Sequence, residues 1–235
     1  KTTCGQLPRR GDMSGLFLTS TGTDIGKTFV AVGLIRELRR RGREVAALKP
    51  VASGFEEWSA PASDPARLLD ALELPSTLDE IARIAPFRYR AALAPMHAAR
   101  REGRALDYDA LLAFCRTELA AAEVLIVEGI GGVMVPLDGS HAVLDWIAEL
   151  RLPALLVVGN YLGTISHTLT ALAALRQRRV PVAAIVVSES GESAVPLAEN
   201  AASIAAFAHG TTVLSLPRLE TGAGHPVFAS LADLL

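Results

Sequence analysis

The stretch that constrains this chain most is residues 20–28, which read Ser-Thr-Gly-Thr-Asp-Ile-Gly-Lys-Thr. An apolar run at residues 16–18 precedes it, and apolar residues recur at helical spacing over residues 29–35. A glycine-containing loop between a strand and a helix presents backbone N–H groups and the positive end of the helix dipole to an anion. The pattern therefore predicts a phosphate-binding loop within a strand–loop–helix unit.

The end of this loop follows the pattern of nucleotide-binding loops. Lys27 is expected to reach the terminal phosphates and Thr28 to bind Mg²⁺. Ser20 stands six residues before Gly26, where such loops have a glycine, so the loop is a variant. A plain structural turn is the alternative, but the strand before the loop and the helix after it favour a nucleotide site.

Composition limits the classes of partner. The chain has 235 residues, half of them apolar, and a net charge of −2. We expect one α/β domain over residues 13–235, no nucleic acid as a partner, and no membrane span, which would need roughly 18–20 apolar residues. Cys4 and Cys115 are the only cysteines. We therefore expect no disulfide framework and predict a cytoplasmic location. Residues 1–12 are predicted to be a tag or a disordered tail.

Short β-rich runs alternate with longer helical patterns, which predicts a doubly wound α/β fold: a mainly parallel sheet with helices on both faces. The predicted strands are residues 16–19, 44–48, 124–127, 154–158, 183–187 and 213–216. The predicted helices are near residues 26–41, 64–73, 107–121, 163–178 and 194–208. Prolines interrupt residues 50–106 repeatedly, so this part is predicted to be the least regular and to form a substrate loop.

Ligands of such sheets bind beyond the carboxyl ends of the strands. Lys49 follows the second predicted strand, and Pro50 biases it towards an extended conformation. Alone it would be a solvated surface group, but beside a phosphate loop we expect it to be functional. Glu128 ends a buried strand and precedes glycines, and we expect it to bind Mg²⁺ rather than to be a hydrogen-bonded structural carboxylate.

Two further strand ends allow alternatives. Asp64, before Pro65, is a second metal ligand or the N-cap of the next helix, and the residues by themselves favour the cap. Residues 159–166 lead into a helix whose N–H groups could bind a carboxylate, but capping by Thr164 or Ser166 explains the same sequence. The histidines show no metal-ligand spacing and are interpreted as surface or packing residues.

Several segments, in this order along the chain, resemble the dethiobiotin synthetases of biotin synthesis. The most specific are Lys-Pro-Val-Ala-Ser-Gly at residues 49–54 and Val-Glu-Gly-Ile-Gly-Gly at residues 127–132. The others are residues 19–28, 63–64, 102–104, 144–146 and 156–166. The resemblance implies a homodimer of P-loop NTPase-like domains that converts 7,8-diaminononanoate, CO₂ and Mg-ATP into dethiobiotin, ADP and phosphate. In that reaction a carbamate attacks the γ-phosphorus, and the second amine then closes the ring.

The resemblance also implies roles for individual residues. Mg²⁺ is expected at Thr28, Asp64 and Glu128, which replaces the capping role preferred above for Asp64. The reacting carbamate and γ-phosphate are expected between Lys27 and Lys49, and the diamine at Thr23 and Ser53. The nucleotide is expected at Asp24, Ile25, Gly26, Lys27, Thr28, Phe29, Gly129, Ile130, Gly131, Ser188, Leu216, Pro217 and Arg218. The substrate carboxylate is expected at Gly163, Thr164, Ile165 and Ser166 of the partner subunit.

This chain departs from the family pattern at a few positions. Ser20 replaces the opening glycine of the loop, Gly22 an aspartate, and Asp24 a residue that is commonly glutamate. Ser188 stands where an asparagine commonly contacts adenine, and Ser166 where asparagine is common near the substrate tail. Because Ser188 offers a single hydroxyl, we expect weaker selection of the base.

Two other functions fit parts of the pattern. ATP-dependent partitioning or positioning switches share the expected fold, but the place of their signature lysine is Gly22 here. Such proteins often end in a basic amphipathic helix, whereas residues 226–235 contain no Lys or Arg. Another ring- or amide-forming P-loop ligase is the closer alternative.

Overall fold

The computed structural model describes residues 15–189, 193, 195–219 and 224–235. The predicted tail at residues 1–12, with Cys4, lies outside the described residues. The strands are β1 (Gly15–Ser20), β2 (Val45–Leu48), β3 (Val51–Ser53), β4 (Phe87–Tyr89), β5 (Val124–Glu128), β6 (Ala154–Gly159), β7 (Val182–Ser188) and β8 (Val213–Leu216). The α-helices are α1 (Lys27–Arg40), α2 (Asp64–Ala71), α3 (Leu78–Ile84), α4 (Pro95–Arg101), α5 (Tyr108–Ala121), α6 (Val143–Leu150), α7 (Thr164–Gln177), α8 (Leu197–Phe207) and α9 (Pro226–Ala232).

The main sheet has six parallel strands in the order β2-β5-β1-β6-β7-β8, as the alternating pattern predicts. From β1 the chain moves to one edge at β2, and from β5 it moves to the other edge through β6, β7 and β8. Because parallel crossovers are right-handed, α1 and the helices α6, α7 and α8 lie on opposite faces. Every residue of β1 and β5 is buried, which explains their continuous apolar runs.

Strand register aligns the ends of the three strands on which the site depends. Leu18 of β1 pairs with Glu128 of β5, and Leu48 of β2 pairs with Val127. Lys49, the residue after Leu48, is therefore level with Glu128, and both lie beside the loop that leaves β1. The doubly wound fold is confirmed, and the predicted elements differ from the observed ones by at most three residues at each end.

Residues 50–106, predicted to be the least regular part, contain only elements of three to eight residues. They contain a second, two-stranded parallel sheet of β3 and β4, the helices α2, α3 and α4, and a short 3₁₀ helix, Glu57–Ala62. Strands of three residues are too short to show an alternating pattern. Two of the prolines here begin helices, since Pro65 and Pro95 lie in the first turns of α2 and α4.

Three other features were not anticipated or can now be located. Helices α6 and α9, of eight and seven residues, were not predicted. Cys115 lies buried in α5, and burial raises the pKa of its thiol to about 12. Over the described residues, none of the helices combines the length and the apolar character that crossing a bilayer requires.

Candidate active site

A cavity of about 680 Å³ lies at the carboxyl edge of the sheet, where the phosphate-binding loop, the end of β2, the start of α2 and the end of β5 meet. Most of the site residues expected from the sequence line it. These are Thr23, Asp24, Ile25, Gly26, Lys27, Thr28, Phe29, Lys49, Ser53, Asp64, Glu128, Ile130 and Gly131. The side chain of Ser53 carries a buried hydroxyl without a hydrogen-bond partner in the described structure.

The loop between β1 and α1 leaves the start of the helix open to an anion. Gly26 is the N-cap of α1 with a φ of 99°, a left-handed conformation that suits glycine. No side chain caps the helix, and its first turn contains no acidic residue. The N–H groups and the positive dipole end of this 14-residue helix therefore lie at the cavity without a side-chain cap.

Glu128 is the centre of the polar contacts in this cavity. Its carboxylate is fully buried, and Oε1 accepts hydrogen bonds from Thr28 Oγ1 at 2.8 Å and from Lys49 Nζ at 2.7 Å. Its other oxygen, Oε2, is buried without a hydrogen-bond partner in the described structure. A buried carboxylate oxygen without a donor is unfavourable, so this atom is suited to receive a cation.

Lys49 is buried at the end of β2 and is not the solvated surface group that its position alone would suggest. Its Nζ also donates to the carbonyl of Gly129 at 2.8 Å and lies 3.5 Å from Asp64 Oδ2. Only 4% of the residue is exposed. The register of β2 with β5 explains its contact with Glu128.

The capping role first preferred for Asp64 was wrong. Ser63 is the N-cap of α2, and its hydroxyl accepts a hydrogen bond from the N–H of Ala66 at 3.4 Å. Asp64 is the first residue within the helix, and its carboxylate lies on the cavity wall near Lys49. Serine and aspartate are about equally good caps, so sequence could not decide which of two neighbours serves.

Lys27 is held by the phosphate-binding loop itself. Its Nζ donates to Ser20 Oγ at 3.1 Å and to the carbonyl of Gly22 at 3.2 Å. Burial, and then repulsion by Lys49, lowers the pKa of Lys27 to about 8. The ammonium therefore lies in a poorly hydrated position, where an incoming anion would stabilise its charge.

Ser20 and the glycines after β5 have contacts that the sequence did not reveal. The buried Ser20 hydroxyl lies within hydrogen-bond distance of the carbonyls of Gly22, at 2.5 Å, and Gly131, at 2.9 Å, so it links the phosphate-binding loop to the loop after β5. A Cβ at Gly132 would lie 3.1 Å from the backbone of Thr21. This glycine allows the two loops to approach each other.

Four oxygen groups could hold a metal here: both oxygens of Glu128, the Asp64 carboxylate and the Thr28 hydroxyl. Within residues 15–235, apart from the undescribed positions, no group of three or more His, Cys, Asp or Glu side chains could hold a metal ion. Two carboxylates and a hydroxyl provide an incomplete oxygen shell, which suits Mg²⁺ with water and phosphate as its remaining ligands. The unpaired Glu128 Oε2 fits this donor set.

Several expected site residues lie outside this cavity. Ser188 ends β7 beside the loop, because a Cβ at Gly26 would lie 3.0 Å from its Oγ. It pairs with Leu216 of β8, and the N–H of Arg218 donates to the Glu189 carboxylate at 2.7 Å. The described residues that line the cavity do not include Gly129, Ser188, Leu216, Pro217 or Arg218.

The turn at residues 163–166 is separate from the cavity of its own chain, since none of the described lining residues belongs to it. The alternative of capping by Thr164 or Ser166 was wrong: the N-cap of α7 is Gly163, and no side chain caps it. The Thr164 hydroxyl instead donates to the carbonyl of Gly159. The first turn of α7 contains no acidic residue, so its N–H groups could bind an anion, as could those of α1.

Comparison with known proteins gives consistent matches along the chain. A family model described as an AAA domain matches residues 14–224. The ATP-dependent dethiobiotin synthetase BioD of Caulobacter sp. (strain K31) is 50% identical over 211 residues, 89% of this chain and 90% of the relative. The protein of that name from Methylobacterium nodulans is 47% identical over 91% of this chain and 96% of the relative. The one from Caulobacter vibrioides is 47% identical over 95% and 99%.

The buried contact of Lys49 with Glu128 predicts a large loss of stability when only the cation is removed. We expect Lys49→Met to lower the free energy of unfolding by about 3–5 kcal/mol, since Glu128 would keep a buried charge without its ammonium partner. Urea denaturation without ligands measures this loss. The double variant Lys49→Met/Glu128→Gln, which removes both charges, should regain most of it.

Arg36→Ala is the matched control, because it breaks the exposed ion pair with Asp70 and should change stability by less than about 1 kcal/mol. Wild-type stability of Lys49→Met would contradict the interpretation that Lys49 is the buried counter-charge of Glu128.

Proposed function

This chain belongs to the ATP-dependent dethiobiotin synthetases, and on that premise we propose how its cavity performs the ligase reaction. The cavity binds Mg-ATP and 7,8-diaminononanoate, takes up CO₂ and releases dethiobiotin, ADP and phosphate. The observation that carries the proposal is the arrangement of Lys49, Thr28 and Asp64 around the Glu128 carboxylate, next to an open helix N-terminus. No contact among the residues that the structure describes favours the partitioning or positioning switch, and the relatives described above are named as synthetases.

The reaction brings anions together more than it moves protons. One amine of the substrate adds to CO₂ and loses a proton, which gives a carbamate. A carbamate oxygen attacks the γ-phosphorus of ATP, ADP leaves, and a carbamic-phosphoric anhydride forms. The second amine then attacks the anhydride carbonyl, phosphate leaves, and the ureido ring closes. The protein must therefore hold a carbamate against a triphosphate that repels it.

Two ammonium groups on different elements suit this task. Lys27, at the start of α1, lies where the terminal phosphates would bind. Lys49, which follows β2, lines the same cavity. Because Glu128 and the Gly129 carbonyl hold the Lys49 ammonium, its position is fixed before substrate arrives. Such preorganised charges stabilise a transition state without reorganisation during the reaction. Thr23 and Ser53 are proposed to contact the diamine end of the substrate.

Mg²⁺ would be held by Thr28, Asp64 and Glu128, and it would neutralise charge on the transferring phosphoryl group. The buried Glu128 Oε2, which lacks a hydrogen-bond donor in the described structure, supports this assignment. Residues 24–29 and 129–131 would contact the phosphates. Residues 188 and 216–218 would contact the base. A cytoplasmic location stays a prediction from the composition.

The reaction can be tested directly. Diaminononanoate, bicarbonate and Mg-ATP should give a product heavier than the diamine by one CO less two hydrogens, seen by mass spectrometry. We expect Lys49→Ala to lower kcat by about 100- to 1000-fold, because it removes one transition-state donor, while ATP still binds. Lys27→Ala should weaken ATP binding as well as turnover. Arg83→Ala, at an exposed site on α3, is the control.

The variants are compared at a temperature where circular dichroism shows each to be folded. Near-normal turnover by Lys49→Ala would contradict the role assigned to Lys49. The absence of the product from the wild-type reaction would contradict the proposed function as a whole.

We further propose that the active unit is a homodimer in which residues 163–166 of each subunit bind the substrate carboxylate of the other. The support is their place at the carboxyl edge of the sheet, the uncapped start of α7, and their separation from the cavity of their own chain. Ser166→Glu should abolish activity by placing a negative charge at this helix start.

Mixing two inactive variants tests whether the site is shared. If it is, co-expressed Lys49→Ala and Ser166→Glu chains form heterodimers with one intact site, and the mixture recovers about a quarter of wild-type activity. If each site lies within one subunit, no site is intact and no activity returns. Light scattering that shows an active monomer would also contradict the proposal.

The base is proposed to be weakly selected, since Ser188 offers one rotatable hydroxyl beside Gly26. One neutral hydrogen bond is worth about 0.5–1.5 kcal/mol, so kcat/KM for CTP and GTP should lie within about tenfold of the value for ATP. Ser188→Asn should raise the preference for ATP. A wild-type preference for ATP above about a thousandfold, roughly 4 kcal/mol, would indicate that other groups select the base.

A further inference from the structure

Among the described residues that line the cavity, Arg67 on α2 carries the one guanidinium. None of the roles proposed above involves this residue. Arg67 is exposed, and its side chain makes no hydrogen bond or ion pair with any residue that the structure describes. The two lysines of the cavity differ from it, because Lys27 and Lys49 are buried and hydrogen-bonded. Of the three cations among the described lining residues, Arg67 is therefore the one whose N–H donors are all available to a ligand.

Helix geometry places Arg67 next to the proposed metal ligands. It follows Asp64 by three residues on α2, and residues three apart lie on the same helix face. Both side chains line the cavity. Asp64 Oδ2 lies 3.5 Å from Lys49 Nζ, so the face that carries Arg67 is the one that borders the charged centre of the site.

The packing of α2 on α1 locates Arg67 further. Arg36 of α1 pairs with Asp70 of α2, and Arg39 pairs with Glu73, each at 2.7 Å. The two helices thus run side by side in the same direction. One turn before Asp70, Arg67 lies level with Gly33 of α1, and both α2 and the start of α1 border the cavity. The uncapped start of α1 lies about two turns further towards its N-terminus.

We propose that Arg67 is a nucleotide-binding residue that donates to a β- or γ-phosphate oxygen of ATP from the α2 side. The proposal rests on the function proposed above, in which Asp64, one turn away, would be one of the residues that hold Mg²⁺ beside the phosphates. A guanidinium matches phosphate oxygens with two parallel N–H donors, and it keeps its charge at any working pH. An exposed position at the cavity edge suits a group that closes on the nucleotide after it enters.

The test measures binding of ATP, ADP and AMP at equilibrium, without diamine. Arg67→Ala should raise Kd for ATP and ADP about tenfold, the effect of losing one hydrogen bond to a charged group, and leave Kd for AMP within about twofold. Arg67→Lys, which keeps the charge without the planar fork, should fall between. The difference between wild type and Arg67→Ala should shrink as salt rises.

Arg36→Ala is the matched control, since it removes one exposed arginine from the same helix pair outside this cavity, and all three Kd values should stay unchanged. In turnover, Arg67→Ala should raise KM for ATP and leave KM for diaminononanoate unchanged. Wild-type Kd values for ATP and ADP would overturn the proposal, and so would an equal loss for AMP. A rise confined to the diamine KM would assign Arg67 to the substrate carboxylate and overturn it too.

Because binding is measured without the reaction, the two proposals can fail separately. A wild-type protein that binds ATP but forms no dethiobiotin would contradict the proposed function alone. Unchanged binding by Arg67→Ala in an enzyme that forms dethiobiotin would contradict only the assignment of Arg67.

Discussion

The structure of the site depends on one buried charge, the Glu128 carboxylate at the end of the central strand β5. A carboxylate with no exposed surface is stable only if donors or cations surround it. Thr28 brings the start of α1 to this carboxylate, and Lys49 brings the end of β2. One acid thereby fixes three elements that are distant in sequence. Since buried ion pairs add little to stability, the arrangement is better explained by what it positions than by what it stabilises.

The same network of buried contacts accounts for the serine at the start of the phosphate-binding loop, where the family pattern has a glycine. A glycine there would leave Lys27 with the Gly22 carbonyl as its partner, whereas Ser20 adds a hydroxyl to the Lys27 ammonium and to the carbonyl of Gly131. The two loops over the cavity are therefore joined by a side chain as well as by the close approach of Gly132 to Thr21. The variant loop keeps its open helix start, which is the feature that anion binding requires.

Much of the fold could be predicted because its signals are local and long. Continuous apolar runs marked the strands that are buried on both faces, and helical periodicity marked α1, α5 and α7. The small sheet of β3 and β4 could not be predicted, because three-residue strands carry no period and depend on pairing between residues 51–53 and 87–89. Asp64 could not be separated from Ser63 as a cap, because both residue types satisfy helix N–H groups.

The sequence by itself determined the class of fold, the phosphate-binding loop and the acids and lysines at the strand ends, because strand–loop–helix patterns and residue chemistry are local properties. The tertiary structure decided which of these groups meet. The register of β2 and β5 places Lys49 level with Glu128, and the packing of α2 on α1 places Arg67 on the wall of the same cavity. The contact between Ser20 and Gly131 was decided in the same way, because these residues lie 111 positions apart in the sequence. Such distances depend on how distant elements pack, and no local pattern encodes them.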